Sequence, residues 1–225
     1  EADYTLDALM SLPDLTAAQR ISLQRDKVAV AVRQAGSRYG EDRSYAEDRA
    51  LGARLQLISM LLDAGDARGA EAEWNLIPAE TRGDRAQAHK LAPVEIRLAA
   101  GKAGLAQLLE RYRAKPEAAP PAELLREAAL ALRRDHNEEG ARAVLEFTYE
   151  REIRNGRLEA ANFLGLAEVM LERGGTASAV ALLNRMALVA DEAFDTLPAA
   201  ADLLAQHGRT AEAEDFLGRR IAGVP

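Results

Sequence analysis

Apolar residues recur every three or four positions along most of the chain, with charged residues between them. One long run passes through Leu51, Leu55, Ile58 and Leu62. This spacing forms a single apolar stripe on an α-helix, because one helical turn contains 3.6 residues. Runs of β-branched residues are nearly absent, so the pattern predicts an all-α chain.

Capping signals predict where the first helices begin. Thr16 and Gln19 have the spacing of a capping box, and so do Ser44 and Glu47. In a capping box the first side chain accepts from the backbone of the second residue, and the second side chain accepts in return. We therefore expect one helix to begin after Thr16, to break near Gly40, and a second helix to begin after Ser44.

Turn signals recur at a nearly constant spacing through the rest of the chain. They are 36, 35, 38 and 34 residues apart, at Gly65, Gly101, His136, Gly174 and Gly208. A period in the thirties is typical of stacked helical hairpins, each of which buries its apolar face against its neighbours. Four of the turns are flanked by a pair of residues twelve positions apart. Most of these flanking residues are alanine, and such small side chains would let the two helices of a hairpin approach closely. These pairs are Ile58 and Ala70, Ala129 and Ala141, Ala167 and Ala179, and Ala201 and Ala213.

The repeated unit resembles the tetratricopeptide repeat, whose pattern is W-x2-L-G-x2-Y, then A-x3-F, then P. The resemblance covers residues 44–225, although no tyrosine occupies the Tyr position and Arg54 occupies the first aromatic position. The second hairpin, within residues 84–114, has no clear register. The fourth and fifth hairpins carry the pattern at Phe163, Leu166, Ala167, Met170, Ala179 and Leu183, and at Leu197, Ala200, Ala201, Leu204, Ala213, Leu217 and Pro225.

This resemblance implies an α-solenoid, a right-handed superhelix of about five hairpins over residues 44–225. An N-terminal lead-in and helix over residues 1–43 would precede it. Pro225 closes a repeat and no polar capping helix follows it, whereas terminal repeats normally carry one. We therefore expect the array to continue beyond residue 225.

The resemblance also implies a binding groove, because the first helix of each tetratricopeptide hairpin lines the concave face. An arginine stripe would then lie beside an acidic one, and guanidinium groups pair well with the carboxylates of a protein or peptide. The alternative is that these charges pair with one another across the hairpins. The predicted protein-binding residues are Arg126, Arg133 and Arg134 of the third hairpin, Glu168 and Glu172 of the fourth, and Asp202 of the fifth.

Related arrays hold the C-terminal carboxylate of chaperones with a Lys and Asn pair in this groove. The sequence does not predict such a clamp, because the groove positions lack the asparagine and acids there would repel a carboxylate. The corresponding positions hold Arg126 and Leu130, Leu164 and Glu168, and Pro198 and Asp202.

Composition argues against several other classes of function. The net charge of −7 does not favour nucleic-acid binding, and the absence of cysteine excludes disulfides and thiolate metal sites. No apolar stretch is long enough to insert into a membrane. The histidines, His89, His136 and His207, form no metal-ligand pair at helical spacing. We therefore expect no metal, no cofactor and no catalytic site.

The sequence thus predicts a non-enzymatic scaffold that binds a protein or peptide in a concave groove. Two alternatives stay open. The chain could be a helical positioning or regulatory domain of a larger enzyme, or a structural spacer that stacks end to end. Its Ala- and Arg-rich, Lys-poor usage is typical of a GC-rich bacterial gene.

Overall fold

A computed structural model describes residues 2–38, 41–84, 86–189 and 193–221. Within these ranges the chain forms thirteen α-helices, one short 3-10 helix and no β-strand, which confirms the all-α prediction. The chain divides into two compact units, Glu1–Asn137 and Glu138–Pro225. Pro225, which was expected to close the fifth repeat, lies outside the described residues.

In its described residues, the first unit contains eight α-helices that pack mainly against their neighbours. Helix α2 packs on α1 and α3, α4 packs on α3, and α6 contacts α3, α7 and α8. These helices are α1 (Ala2–Met10), α2 (Ala17–Gly36), α3 (Glu41–Asp63), α4 (Ala67–Asn75), α5 (Ala79–Gly83), α6 (Ala88–Gly101), α7 (Leu105–Ala114) and α8 (Ala122–Arg134).

The described part of the second unit contains five α-helices that follow the same scheme. Consecutive helices pack on each other, and α12 also contacts α10. They are α9 (Glu138–Arg154), α10 (Ala160–Glu172), α11 (Thr176–Val189), α12 (Ala193–Gln206) and α13 (Thr210–Ile221).

One of the two predicted capping boxes is present. The Thr16 side chain accepts a hydrogen bond from the backbone N–H of Gln19, and the Gln19 side chain accepts one from the N–H of Thr16 at 2.9 Å. The prediction for Ser44 is wrong, because α3 already begins at Glu41. Glu47 instead accepts a hydrogen bond from Arg43 at 2.8 Å, a helical i,i+4 pair. Gly40 lies outside the described residues.

Arg54 has a structural role in the position where the tetratricopeptide pattern has an aromatic residue. Its guanidinium group donates a hydrogen bond to the carbonyl of Leu76 at 3.1 Å and lies 3.4 Å from the Glu73 carboxylate. Leu76 is the C-cap of α4. The last carbonyls of a helix have no partner within the helix, so Arg54 ties the end of α4 to α3.

The five hairpin turns share one backbone geometry. At each turn a residue has positive φ, and the next residue donates its N–H, at 2.8 Å, to a carbonyl five positions back, as in a Schellman motif. In the second hairpin this residue is Ala103 rather than the predicted Gly101, which is the last residue of α6. The positive-φ residues of these five turns are Gly65, Ala103, His136, Gly174 and Gly208.

The turn at Ala103 fixes the register that the sequence leaves open. Counting from the positive-φ residue, Ile96 and Leu108 occupy the positions at which the other hairpins hold mostly alanine. Both side chains are buried. The second hairpin therefore departs from the pattern because large residues replace small ones at the helix crossing.

The core of the second unit is built from the positions that match the repeat. Phe163, Ala167, Ala179 and Leu183 are completely buried, and Leu204 is equally inaccessible on α12. These side chains belong to one cluster that extends from Ile153 to Phe216. The first unit has its own cluster, in which the partly buried Trp74 packs against the buried residues.

Candidate functional site

The second unit contains a surface hollow between α9, α10 and α12. Its volume is about 360 Å³, at the lower end of the range for ligand pockets. Helices α10 and α12 are the first helices of the fourth and fifth hairpins, which the resemblance places on the concave face. The lining residues are Tyr149, Ala161, Leu164, Gly165, Glu168, Ala199, Leu203 and Gln206.

The Tyr149 ring lies directly against the backbone of α10 at Gly165. A Cβ atom at position 165 would be 2.6 Å from Cε2 and 2.8 Å from Oη of Tyr149, closer than real contacts allow. Glycine inside a helix costs roughly 0.5–1 kcal/mol relative to alanine. In return, its missing side chain makes room for the aromatic ring at the edge of the hollow.

Apolar and small side chains provide the other surfaces of the hollow. Leu164 and Leu203 are half-buried and pack against the core of the second unit, so contacts with the core fix their positions. Ala161 and Ala199 are exposed on α10 and α12. The hollow therefore combines an apolar base with open sides, which suits side chains of an incoming chain.

Two carboxylates accompany this apolar base. Glu168 lines the hollow from α10. Asp202 is exposed on α12 and shares a helix face with Ala199 and Gln206, at i,i+3 and i,i+4 spacing. In the part of the chain that the structure describes, neither carboxylate has a hydrogen-bond or ion-pair partner. Among the described residues, none of the side chains that line the hollow is basic.

Two other acidic residues of the second unit, Glu146 on α9 and Glu172 on α10, do have basic partners. Glu172, one turn beyond Glu168, lies 3.9 Å from Nε of Arg142, and Glu146 pairs with Arg173. Both pairs connect α9 with α10. For Glu172 this arrangement agrees with the alternative that surface charges pair across the helices.

The three predicted arginines lie on α8, in the first unit. Arg126 and Arg133 are half-buried, Arg134 is exposed, and Leu130 between them is 60% exposed. The predicted acidic residues are all in the second unit. That the arginines contact a partner stays a prediction.

The hollow of the second unit includes residues that sequence reasoning missed. Glu168 was predicted, and Leu164 was placed with it on the groove face, but Tyr149 and Gly165 were not identified. A signal was present, because Gly165 is an isolated glycine inside an otherwise helical run. The glycine of the tetratricopeptide pattern falls at Ala167, so Gly165 is not explained by the repeat.

A larger hollow of about 960 Å³ lies in the first unit, between α2, α3 and the segment that follows α4. Its arginines are engaged within the protein: Arg43 with Glu47, and Arg54 with Glu73 and the Leu76 carbonyl. These contacts stabilise the walls of the larger hollow.

Strongly perturbed titrating groups lie away from both hollows. Burial raises the pKa of Tyr112, and the negative charge and hydrogen bond of Glu95 raise it further. Tyr112 Oη donates to Glu95 at 3.0 Å, which makes this a packing contact of the first unit. Among the described residues, no three His, Asp or Glu side chains are grouped so that they could hold a metal ion.

None of the helices in the described ranges combines the length and the apolar character needed to cross a membrane. Comparison of the chain with protein-family models, with curated proteins and with solved structures gave no match.

Proposed function

We propose that this chain is a non-enzymatic interaction module that binds a segment of another protein, and that its hairpins form a tetratricopeptide-like right-handed solenoid. The observation that carries the proposal is the hollow beside Tyr149 and Gly165 in the second unit. Its base is apolar, its sides are open, and it lies between the first helices of two successive hairpins. Extended surfaces of this kind are how stacked helical repeats bind protein segments.

The glycine at position 165 supports a binding role. Alanine would favour the helix by up to about 1 kcal/mol, yet the chain has glycine where an aromatic ring crosses the helix. Tyr149 is half-buried: it packs against the core of the second unit and also lines the hollow. An aromatic side chain held at the edge of an apolar hollow is a common anchor for protein ligands.

A display selection tests the proposal. Random linear peptides are selected on the immobilised chain, and enriched peptides are measured by fluorescence anisotropy against the wild type and two tryptophan variants. Ala199→Trp fills the hollow, whereas Ala205→Trp places the same side chain at an exposed position of α12 outside it. We expect Ala199→Trp to abolish binding and Ala205→Trp to preserve it.

Failure to enrich any peptide would contradict the proposal, and so would equal affinity for both variants. The same assay tests the predicted arginine contacts. If Arg126, Arg133 and Arg134 contribute to binding, their combined replacement by glutamate changes the affinity of the enriched peptides, while helix content measured by circular dichroism is retained.

A further inference from the structure

We infer that the hollow of the second unit selects a protein segment that carries an arginine side chain, with the guanidinium group bound between Glu168 and Asp202. This inference rests on the proposed function and names the chemistry of its ligand. Glu168 is on α10, Asp202 is on α12, and these two helices contact each other.

The unpaired state of the two carboxylates is the first argument. Glu146, Glu172 and Asp215 each have an arginine within ion-pair distance, whereas Glu168 and Asp202 have no partner in the described ranges. Glu139, Glu212 and Glu214 also lack a partner there, but they do not line the hollow. Two anions on contacting helices repel each other when no cation is near. A cation from a ligand would remove this repulsion. It would also donate charge-assisted hydrogen bonds to both carboxylates.

The charge of the second unit is the second argument. Residues 138–225 contain fifteen acidic and nine basic side chains, whereas residues 1–137 contain twenty-one and twenty. Nearly all of the net charge of −7 therefore belongs to the unit that contains the hollow. A negative field of this kind attracts basic segments and speeds their association.

The surface of the hollow favours arginine over lysine. The guanidinium group is planar and weakly hydrated, and it stacks on aromatic rings while it donates to carboxylates. Tyr149 supplies an aromatic surface, and Leu164 and Leu203 supply apolar surface for the methylene groups of the side chain. The ammonium group of lysine is compact and strongly hydrated, so it would contact this aromatic and apolar surface less favourably.

The test uses peptides that the display selection enriches, each synthesised with arginine and with citrulline, its neutral analogue. Affinities are measured for the wild type, Glu168→Gln and Asp202→Asn, as the sodium chloride concentration is raised. Glu214→Gln is the control, because it removes the same charge from an exposed position of α13 outside the hollow.

We expect Glu168→Gln and Asp202→Asn each to lower the affinity for the arginine peptide about fivefold to tenfold, as for partly screened charge-assisted hydrogen bonds. The affinity for the citrulline peptide should change little in these two variants. Glu214→Gln should leave the affinity for both peptides unchanged. Binding of the arginine peptide should also weaken as salt increases.

The outcomes separate the two proposals. If Ala199→Trp blocks the enriched peptides but they lack arginine, or if Glu168→Gln weakens the arginine and citrulline peptides equally, the inference is overturned and the proposed function stands. If Ala199→Trp blocks no peptide, both are overturned. A preference for lysine over arginine peptides would contradict the argument from the aromatic and apolar surface.

Discussion

Arg97 and Asp135 form a two-point contact, in which Nε and Nη2 of Arg97 donate to the two carboxylate oxygens of Asp135, each at 2.8 Å. Nη2 of Arg97 also donates to Asp63 at 2.6 Å. Asp63 ends α3 and Asp135 is the C-cap of α8, so one guanidinium group on α6 joins the ends of two other helices. Carboxylates at helix C-termini oppose the helix dipole, and the cation offsets this effect.

The environment of Arg97 favours its charged form. Burial alone would lower its pKa, but the hydrogen bonds and charges of Asp135 and Asp63 outweigh burial, and the pKa is raised. The Arg97 residue is 7% exposed. The first unit therefore has a buried cation whose partners come from two neighbouring helices.

We predict that Asp135→Asn lowers the free energy of unfolding by about 2 kcal/mol, because it weakens the partner of a buried charge. Asp63→Asn should cost less than about 1 kcal/mol, because the Asp63 side chain is 67% exposed. Urea denaturation followed by circular dichroism measures both. Glu47→Gln, which affects an exposed pair on α3, is the control. Equal losses for Asp135→Asn and Asp63→Asn would show that burial of the contact does not matter.

We predict that Tyr112 makes the first unit less stable at alkaline pH. The pKa of Tyr112 is raised in the folded chain, from an ordinary value of 10.0, chiefly by burial and then by Glu95. Below about pH 10 both states keep the phenolic proton, and the contribution is complete. Above it the unfolded state loses its proton first, so stability falls by up to about 1.4 kcal/mol per pH unit.

The measurement is the urea midpoint of the wild type and of Tyr112→Phe as pH is raised from neutral to beyond the ordinary tyrosine pKa. Tyr112→Phe should be less stable at neutral pH, because it lacks the hydrogen bond to Glu95. Its stability should also depend less steeply on alkaline pH. Parallel curves for the two proteins would mean that Tyr112 is not the group responsible.

The shared turn geometry leads to two substitutions with opposite effects. Ala103 has φ of 56°, a conformation that costs residues with a Cβ about 1 kcal/mol, so Ala103→Gly should stabilise the chain by about that amount. Gly65 has φ of 77°, so Gly65→Ala should destabilise it to a similar extent. Thermal or urea denaturation gives both values. The same sign for both changes would contradict the assigned turn register.

A double-mutant cycle measures the contact between Tyr149 and Gly165. In a Tyr149→Ala background, Gly165→Ala should stabilise α10 by up to about 1 kcal/mol, because the helix gains propensity without a clash. In the wild-type background this gain should be lost, since the added Cβ displaces the ring. The difference between backgrounds is the coupling energy, and we expect about 1 kcal/mol. Values near zero would show that the ring does not depend on glycine at this position.

Much of the fold could be predicted because it depends on local spacing. The 3.6-residue pattern predicted helices, and four of the five turn positions coincide with residues of positive φ. Gly101 was the exception, because Ala103 adopts the left-handed conformation without the usual glycine signal. The predicted cap at Ser44 is wrong because helix α3 begins earlier, at Glu41. Glu47 pairs with Arg43 instead of capping the helix.

By itself, the sequence determined the helical class, the hairpin period and most of the buried positions in the second unit, because each follows from residues close together in the chain. The tertiary structure alone decided which side chains meet across helices. Tyr149 meets Gly165 at a separation of sixteen residues, and Arg97 meets Asp135 at thirty-eight. Glu168 and Glu172 were both predicted as site residues. Only the structure distinguishes them, because Glu172 lies beside Arg142 of α9. Such contacts depend on how whole helices pack, and periodicity along the chain does not specify them.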